Sequence, residues 1–233
     1  VSTAVTGREG PAGWFRRIRT LPCAALLIVQ LLGIVVYPFT ESDIGRAAFS
    51  LFQLLVLVIA VAAVRMTPAL SRVLVTLGVP AAVLTIAEAF APDHDVVQLL
   101  SGITHAAFYL YLAYGLIRYM FSDEHVTTDE MFATGACFTV VAWAFAYLYG
   151  VVQVVWGADQ FATAEHHGDL SWMELLFLSF TTMTNTGLSD ISPVGTHARS
   201  VVMLEQLSGL YYIALVVARL LGMMLAKFSR TPG

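Results

Sequence analysis

The stretch Thr184-Asn185-Thr186-Gly187-Leu188-Ser189 sets three hydroxyls, one amide and a glycine between two long apolar runs. Hydroxyl and backbone carbonyl oxygens are the ligands that can replace the hydration shell of a metal cation. Gly187 permits backbone angles that other residues avoid. Asn185 would place amide oxygens across a shared axis, or amide donors if flipped, and such a ring would hold a partly hydrated ion. Asp190 follows at once and, with other acids nearby, would raise the local cation concentration. The plainer alternative for the whole stretch is a packing loop that fills a crevice between helices.

Glu88, Glu205 and Arg219 sit inside apolar runs, where charges are by default functional or paired. Glu205 is read as a brace behind the polar loop or the short apolar run before it. Arg219 lies about 20 Å further along the same helix at 1.5 Å per residue. It is expected to snorkel to the membrane surface or to pair between subunits, with a gating role as the alternative. Gly209 is a candidate hinge, with close helix packing as the competing explanation. In the segment 164–169, Glu165, His166, His167 and Asp169 could bind zinc or sense pH, but adjacent histidines diverge, so a solvated loop is preferred. His105 is expected to be a hydrogen-bonded interior residue, and no facing histidine suggests haem. Cys23 and Cys137 lie in apolar runs and read as small buried hydrophobes rather than a disulfide or metal pair. No nucleophile–base pair, phosphate loop or cofactor fingerprint is evident, so no enzyme activity, cofactor or structural metal is expected.

The elements that must position these residues are membrane helices. Hydrophobic residues make up 58% of the 233 and charged residues only 12%, against about 25% charged in a soluble domain. A net charge of −4, with no basic stripe beyond a short N-terminal cluster, argues against a nucleic-acid partner. Six runs are long enough to span a bilayer, at approximately 21–39, 44–64, 70–91, 96–120, 131–156 and 200–226. A seventh, about 170–183, is too short to cross and has the length of a re-entrant helix. Its C-terminus, with a partial negative charge, would favour a cation near the midplane.

The distribution of Lys and Arg sets the orientation. Arg8, Arg16, Arg17 and Arg19, then Arg65 and Arg72, then Arg118, then Lys227 and Arg230 mark one side. Glu41, Asp43, Asp93 and Asp95 mark the other. Both termini are therefore expected to be cytoplasmic. The segment 122–130 departs from this pattern, because it carries Asp123, Glu124, Asp129 and Glu130 on the basic side. The first span is expected to be retained, since no small-residue cleavage site follows its long apolar run. The fourth span lacks the repeated arginines of a voltage sensor.

From about residue 126 to 226 the chain resembles the tetrameric pore-loop cation channels, specifically bacterial potassium channels with six helices and one pore loop. The residues that carry the resemblance are LFLSFTTMTNTGLSDISPVGTHARSVVMLEQLSGLYYIALVVARLLG. Family members read as a pore helix, then T-T-V-G-Y-G-D, then I-T-P, then an inner helix with A-R-S, an L-E, a glycine and A-R-L. Thr184 matches the first threonine, Gly187 the first glycine, Asp190 the aspartate and Pro193 the proline. The upstream ACFTVVAWAFAYLYGVVQ resembles the outer helix. The chain departs at Asn185, Thr186, Leu188 and Ser189, where the family has threonine, valine, tyrosine and the second glycine. Losing that tyrosine and glycine implies that the usual series of potassium sites is altered. Gly187-Leu188-Ser189 also resembles the pore loops of the Trk and Ktr potassium transporters, which manage with a single glycine per repeat.

Together these readings give an all-α integral membrane protein with six transmembrane helices, one re-entrant pore helix and a filter loop. The expected divisions are a cytoplasmic tail (1–20), a four-helix scaffold (21–120), a linker (121–130), a pore domain (131–226) and a second tail (227–233). A single loop makes only part of a ring, so a homotetramer in the inner membrane is expected. It would conduct potassium or another monovalent cation passively, through Thr184 to Ser189. No cytoplasmic ligand domain is expected in this chain. The rival reading is a non-conducting membrane scaffold or sensor that retains the fold. A transporter is disfavoured, because no inverted repeat is visible.

Overall fold

A computed structural model describes residues 21–39, 43–63, 68–92, 94–122, 127–163 and 168–229. Arg8, Arg16, Arg17, Arg19, Glu41, Arg65, Asp93, Asp123, Glu124, Glu165, His166, His167 and Arg230 lie outside the described residues.

Seven α-helices carry most of the described chain. They are α1 (Pro22–Val36), α2 (Asp43–Ala63), α3 (Pro68–Phe90), α4 (Asp95–Met120), α5 (Thr128–Trp156), α6 (Trp172–Met183) and α7 (Thr196–Ser229). Two short strands, β1 (Phe161–Ala162) and β2 (Ser192–Pro193), pair antiparallel with Phe161 opposite Pro193. Among the described residues, five stretches are long and apolar enough to cross a membrane: Pro22–Phe39, Leu70–Phe90, Asp95–Met120, Thr128–Trp156 and Thr196–Arg219. In α2 the apolar stretch is the shorter Leu51–Ala63. The chain is an all-α membrane protein.

The helix α5 is apolar on every side, the pattern of a helix buried all round rather than on one stripe. It packs against α1, α4, α6 and α7. The other scaffold helices pack in sequence, α1 on α2, α2 on α3 and α3 on α4, so α5 closes the bundle between α1 and α4. Cys23 meets Asp129, and Gly33 lies against the tip of Trp143, so α1 and α5 run in the same direction. One continuous core, including Phe108, Tyr109, Trp143 and Tyr149, runs through the bundle and under α6. The scaffold and the C-terminal part therefore share the α5 core rather than each enclosing its own.

His105 is an interior residue of this bundle. Its ring stacks on Tyr147 at 4.6 Å between centroids. Nδ1 faces the Ser101 carbonyl oxygen at 2.9 Å, and Nε2 faces the Thr85 hydroxyl at 3.1 Å. Both ring nitrogens are thus occupied by neighbours in α3 and α4.

Several boundaries differ from the sequence expectation, for local reasons. The last helix begins at Thr196 rather than 200 and runs to Ser229. The first ends at Val36 and closes in a 3₁₀ turn over Tyr37–Phe39, where Pro38 cannot donate a helical hydrogen bond. The helix α5 begins at Thr128, not 131, because the Thr127 hydroxyl caps it by accepting from the Glu130 amide at 3.3 Å. Asp129 and Glu130 consequently belong to its first turn rather than to a linker.

Candidate ion pathway

The short helix α6 is only about 18 Å long at 1.5 Å per residue, and its sequence explains where it starts. Ser171 and Glu174 form a reciprocal capping box: the Glu174 amide donates to the Ser171 hydroxyl, and the Ser171 amide donates to Glu174 Oε2 at 2.7 Å. Just before this cap, the Gln153 side chain clamps Leu170 from α5. It accepts from the Leu170 amide at 2.8 Å and donates to its carbonyl at 3.1 Å.

The middle of α6 is held from behind. The Ser179 hydroxyl lies 2.7 Å from the Ala142 carbonyl of α5 and also against Glu205 of α7. The Tyr149 hydroxyl of α5 donates to the other oxygen of Glu205. Glu205 is fully buried. One carboxylate therefore joins the long helix α5, the short helix α6 and the long helix α7. Sequence reading placed Glu205 behind the loop, but missed Ser179, Tyr149 and Gln153. The signal for them was a polar side chain inside an otherwise apolar run.

The C-terminal end of α6 is fixed just as locally. The Thr186 amide donates to Thr181 O at 3.1 Å and the Asn185 amide to Thr182 O at 3.0 Å. This pair of bonds is a Schellman motif, which requires a left-handed residue after the cap. Asn185 is that residue, with φ +56°, and it is the one described non-glycine position with positive φ. Asparagine tolerates this conformation better than most residues. Asn185 thus has a structural task that the sequence reading, with its ring of amides, did not foresee. Gly187 also has a positive φ, +64°.

Two hydroxyls turn their protons back onto the helix. Thr184 Oγ1 donates to Phe180 O at 2.7 Å and lies 3.0 Å from Thr186 Oγ1. Thr186 Oγ1 donates to Thr181 O at 3.3 Å. A hydroxyl whose proton is engaged in this way keeps its lone pairs for another partner, such as a cation. Thr184, Asn185, Thr186, Gly187, Leu188 and Asp190 are exposed, and Ser189 is half-buried. Leu188 is 77% exposed. The Ser189 hydroxyl accepts from the Ile191 amide at 3.1 Å, which closes the turn over Asp190. The chain then returns through β2 to β1, and the Val194 and Gly195 amides both donate to Gln160 O at 3.0 Å.

Gly209 lies against the end of α6. A Cβ on Gly209 would overlap the Met183 carbonyl oxygen, so close approach accounts for this glycine without a hinge. Arg219 is ten residues beyond Gly209 on α7, away from residues 184–190, and paired within its own chain. Its guanidinium donates to Glu130 at 3.0 Å, with the side chains 14% and 3% exposed, and lies over the Phe121 ring at 4.8 Å. This intrachain pair replaces the expected snorkelling or intersubunit contact. The structure therefore gathers residues 184–190 with Glu205 and Gly209 around α6, and leaves Arg219 apart. Among the described residues no group of three or more His, Cys, Asp or Glu could hold a metal ion.

A protein-family model described as "Ion channel" matches residues 135–226, which span α5 from its second turn through α6, the polar loop and most of α7. No curated protein and no solved structure matches the chain. The family match and the membrane helices together support an ion-channel domain in the C-terminal part of this membrane protein.

Proposed function

We propose that the chain assembles as a homotetramer around a central pore and conducts monovalent cations passively across the inner membrane, with potassium favoured. In this reading all six long helices cross the bilayer and both termini are cytoplasmic. Helix α6 enters from outside and stops midway, and Thr184 to Ser189 face the common axis. Asp190 sits at the outer mouth.

The observation that carries the reading is the short, doubly capped helix α6, held from behind by Glu205 and leading directly into six consecutive residues that the chain leaves largely uncovered. Irregular backbone at membrane depth is stable only where it meets protein or a water-filled cavity. A fourfold ring of such loops supplies both. The back-bonded hydroxyls of Thr184 and Thr186 offer oxygen lone pairs, and the α6 C-terminus adds partial negative charge. Met203, Leu204, Leu207, Leu210 and Tyr211 on α7 are apolar and exposed in the single chain. Neighbouring copies and lipid would cover them. Leu188 and Ser189 in place of the family's tyrosine and glycine suggest weaker selectivity than a typical potassium filter.

The test is flux into liposomes holding the purified protein under a potassium gradient, with sodium and rubidium as competitors. Uptake that follows the gradient is expected. No flux of any of the three ions from a tetrameric preparation would leave the non-conducting scaffold as the better reading, and a monomer in detergent would remove the shared axis.

A further inference from the structure

Two of the four acids that break the charge pattern at 122–130, Asp129 and Glu130, meet three other helices at one place, at the end of the bundle opposite residues 184–190. Asp129 accepts from the Cys23 and Ala24 amides at the start of α1, at 3.0 and 3.4 Å, and so satisfies free donors at that helix N-terminus. It also accepts from the Tyr119 hydroxyl at the end of α4, at 3.4 Å. Glu130, its neighbour, holds Arg219 of α7. Phe121, just past α4, lies under the same guanidinium. Asp129 and Glu130 are 6% and 3% exposed. Removing one member of a buried charge pair leaves the other uncompensated, which is the costly case.

We propose that Asp129 and Glu130 form a mechanical joint through which α1 and α4 set the position of the far end of α7. Adjacent residues in one helical turn cannot move independently. A displacement of Arg219 therefore pulls on the turn that caps α1, and a displacement of α1 or α4 pulls on Arg219. Beyond Gly209 only Tyr212 on α7 is buried among the residues whose burial is described, so little else holds this half of the helix to its own chain. Asp129, Glu130 and Arg219 are positioning residues in this arrangement. The consequence for ion flow rests on the pore reading, whereas the joint itself does not.

The test uses a thiol on α1 to report a change made on α7. Cys23 and Cys137 are the only cysteines and both are fully buried. In the full-length protein in lipid, with Cys137→Ala, the rate of maleimide labelling at Cys23 measures opening of the α1 start. Arg219→Gln is expected to raise that rate roughly five-fold through local opening. Arg219→Lys, which keeps the charge, should stay near the parent rate. Asp129→Asn should raise it alone, and the double variant should fall well short of the product of the two effects, because both act through one joint. On a Cys23→Ala background, labelling of Cys137 should not change with Arg219→Gln. An unchanged Cys23 rate, independent multiplicative effects, or a parallel rise at Cys137 would each overturn the proposal. If Arg219→Gln fails to assemble, Phe121→Leu, which removes the ring under the guanidinium, carries the same comparison. Labelling needs no ion flow, so failure here is distinguishable from failure of the pore reading.

Discussion

The two halves of the α5–α7 seam are built differently. On the filter side, α6 wedges against both helices, and Glu205 ties all three through Ser179 and Tyr149. Gly209 brings α7 into contact with the last carbonyl of α6, and Gln153 and the capping box secure the other end. On the far side no described element wedges between them. There α7 is tied to α5 by the Tyr212 hydroxyl, which donates to the Thr134 carbonyl, and by Arg219 on Glu130. The difference concentrates ties around α6 and its loop, whereas among the described contacts the far half of α7 leans mainly on Tyr212 and Arg219. If residues 184–189 line a pore as proposed, this asymmetry would keep their oxygens in register while the far end opens.

The largest way to break the filter-side half is Gly209→Val. Overpacking in a filled core costs about 1–3 kcal/mol, occasionally more, and here the obstacle is backbone, which cannot rotate away. Loss of folded protein is expected on size-exclusion chromatography, with Gly209→Ala milder in the same direction. A well-folded Gly209→Val protein would show that α6 and α7 are not in contact as described. Glu205→Ala should come next. It removes the carboxylate acceptor of the buried Tyr149 hydroxyl, while Ser179 keeps the Ala142 carbonyl; an expected loss of about 1–3 kcal/mol is read as a lower thermal unfolding midpoint in detergent. Glu205→Gln should recover most of that loss, because an amide can still accept from Tyr149 and meet Ser179.

How much of this was legible in the sequence differs between the halves in the same way. Hydropathy located the membrane helices to within a few residues, because length and apolarity leave little freedom. The short apolar run and the hydroxyl-rich stretch after it marked α6 and its loop. The ties were not legible. Ser179, Tyr149 and Glu205 are separated by 26 and 56 residues along the chain, and periodicity carries no information about which helices become neighbours. Glu130 was hidden for another reason. A boundary set at 131 left it in a loop, and the Thr127 cap that moves it into α5 is a single hydroxyl. Asn185 was read for its side chain, when its backbone angle was the informative property.

That last point sharpens the filter side with a smaller effect. Asn185→Thr moves the loop toward the family pattern but puts a β-branched residue at φ +56°. Left-handed geometry costs an ordinary residue roughly 1–2 kcal/mol. The unfolding midpoint should therefore drop for Asn185→Thr and hold or rise slightly for Asn185→Gly, which adopts that angle freely. Equal midpoints for the two would mean that the Schellman turn does not persist in the assembled protein.

The smallest effect belongs to the far half. Tyr212→Phe removes only the hydroxyl. The Thr134 carbonyl lies inside α5 and keeps its helical partner, so no buried group is stranded, and the ring still packs on Phe138 at 5.8 Å. A net loss of about 1 kcal/mol or less is expected, well below that of Glu205→Ala. The informative readout is local. Amide hydrogen exchange should quicken in α7 beyond Gly209 while α6 stays as protected as before, because the wedge and its Glu205 tie do not involve Tyr212. If α6 and the far part of α7 loosen together, the seam is one cooperative unit, and the division into a fixed half and a movable half fails.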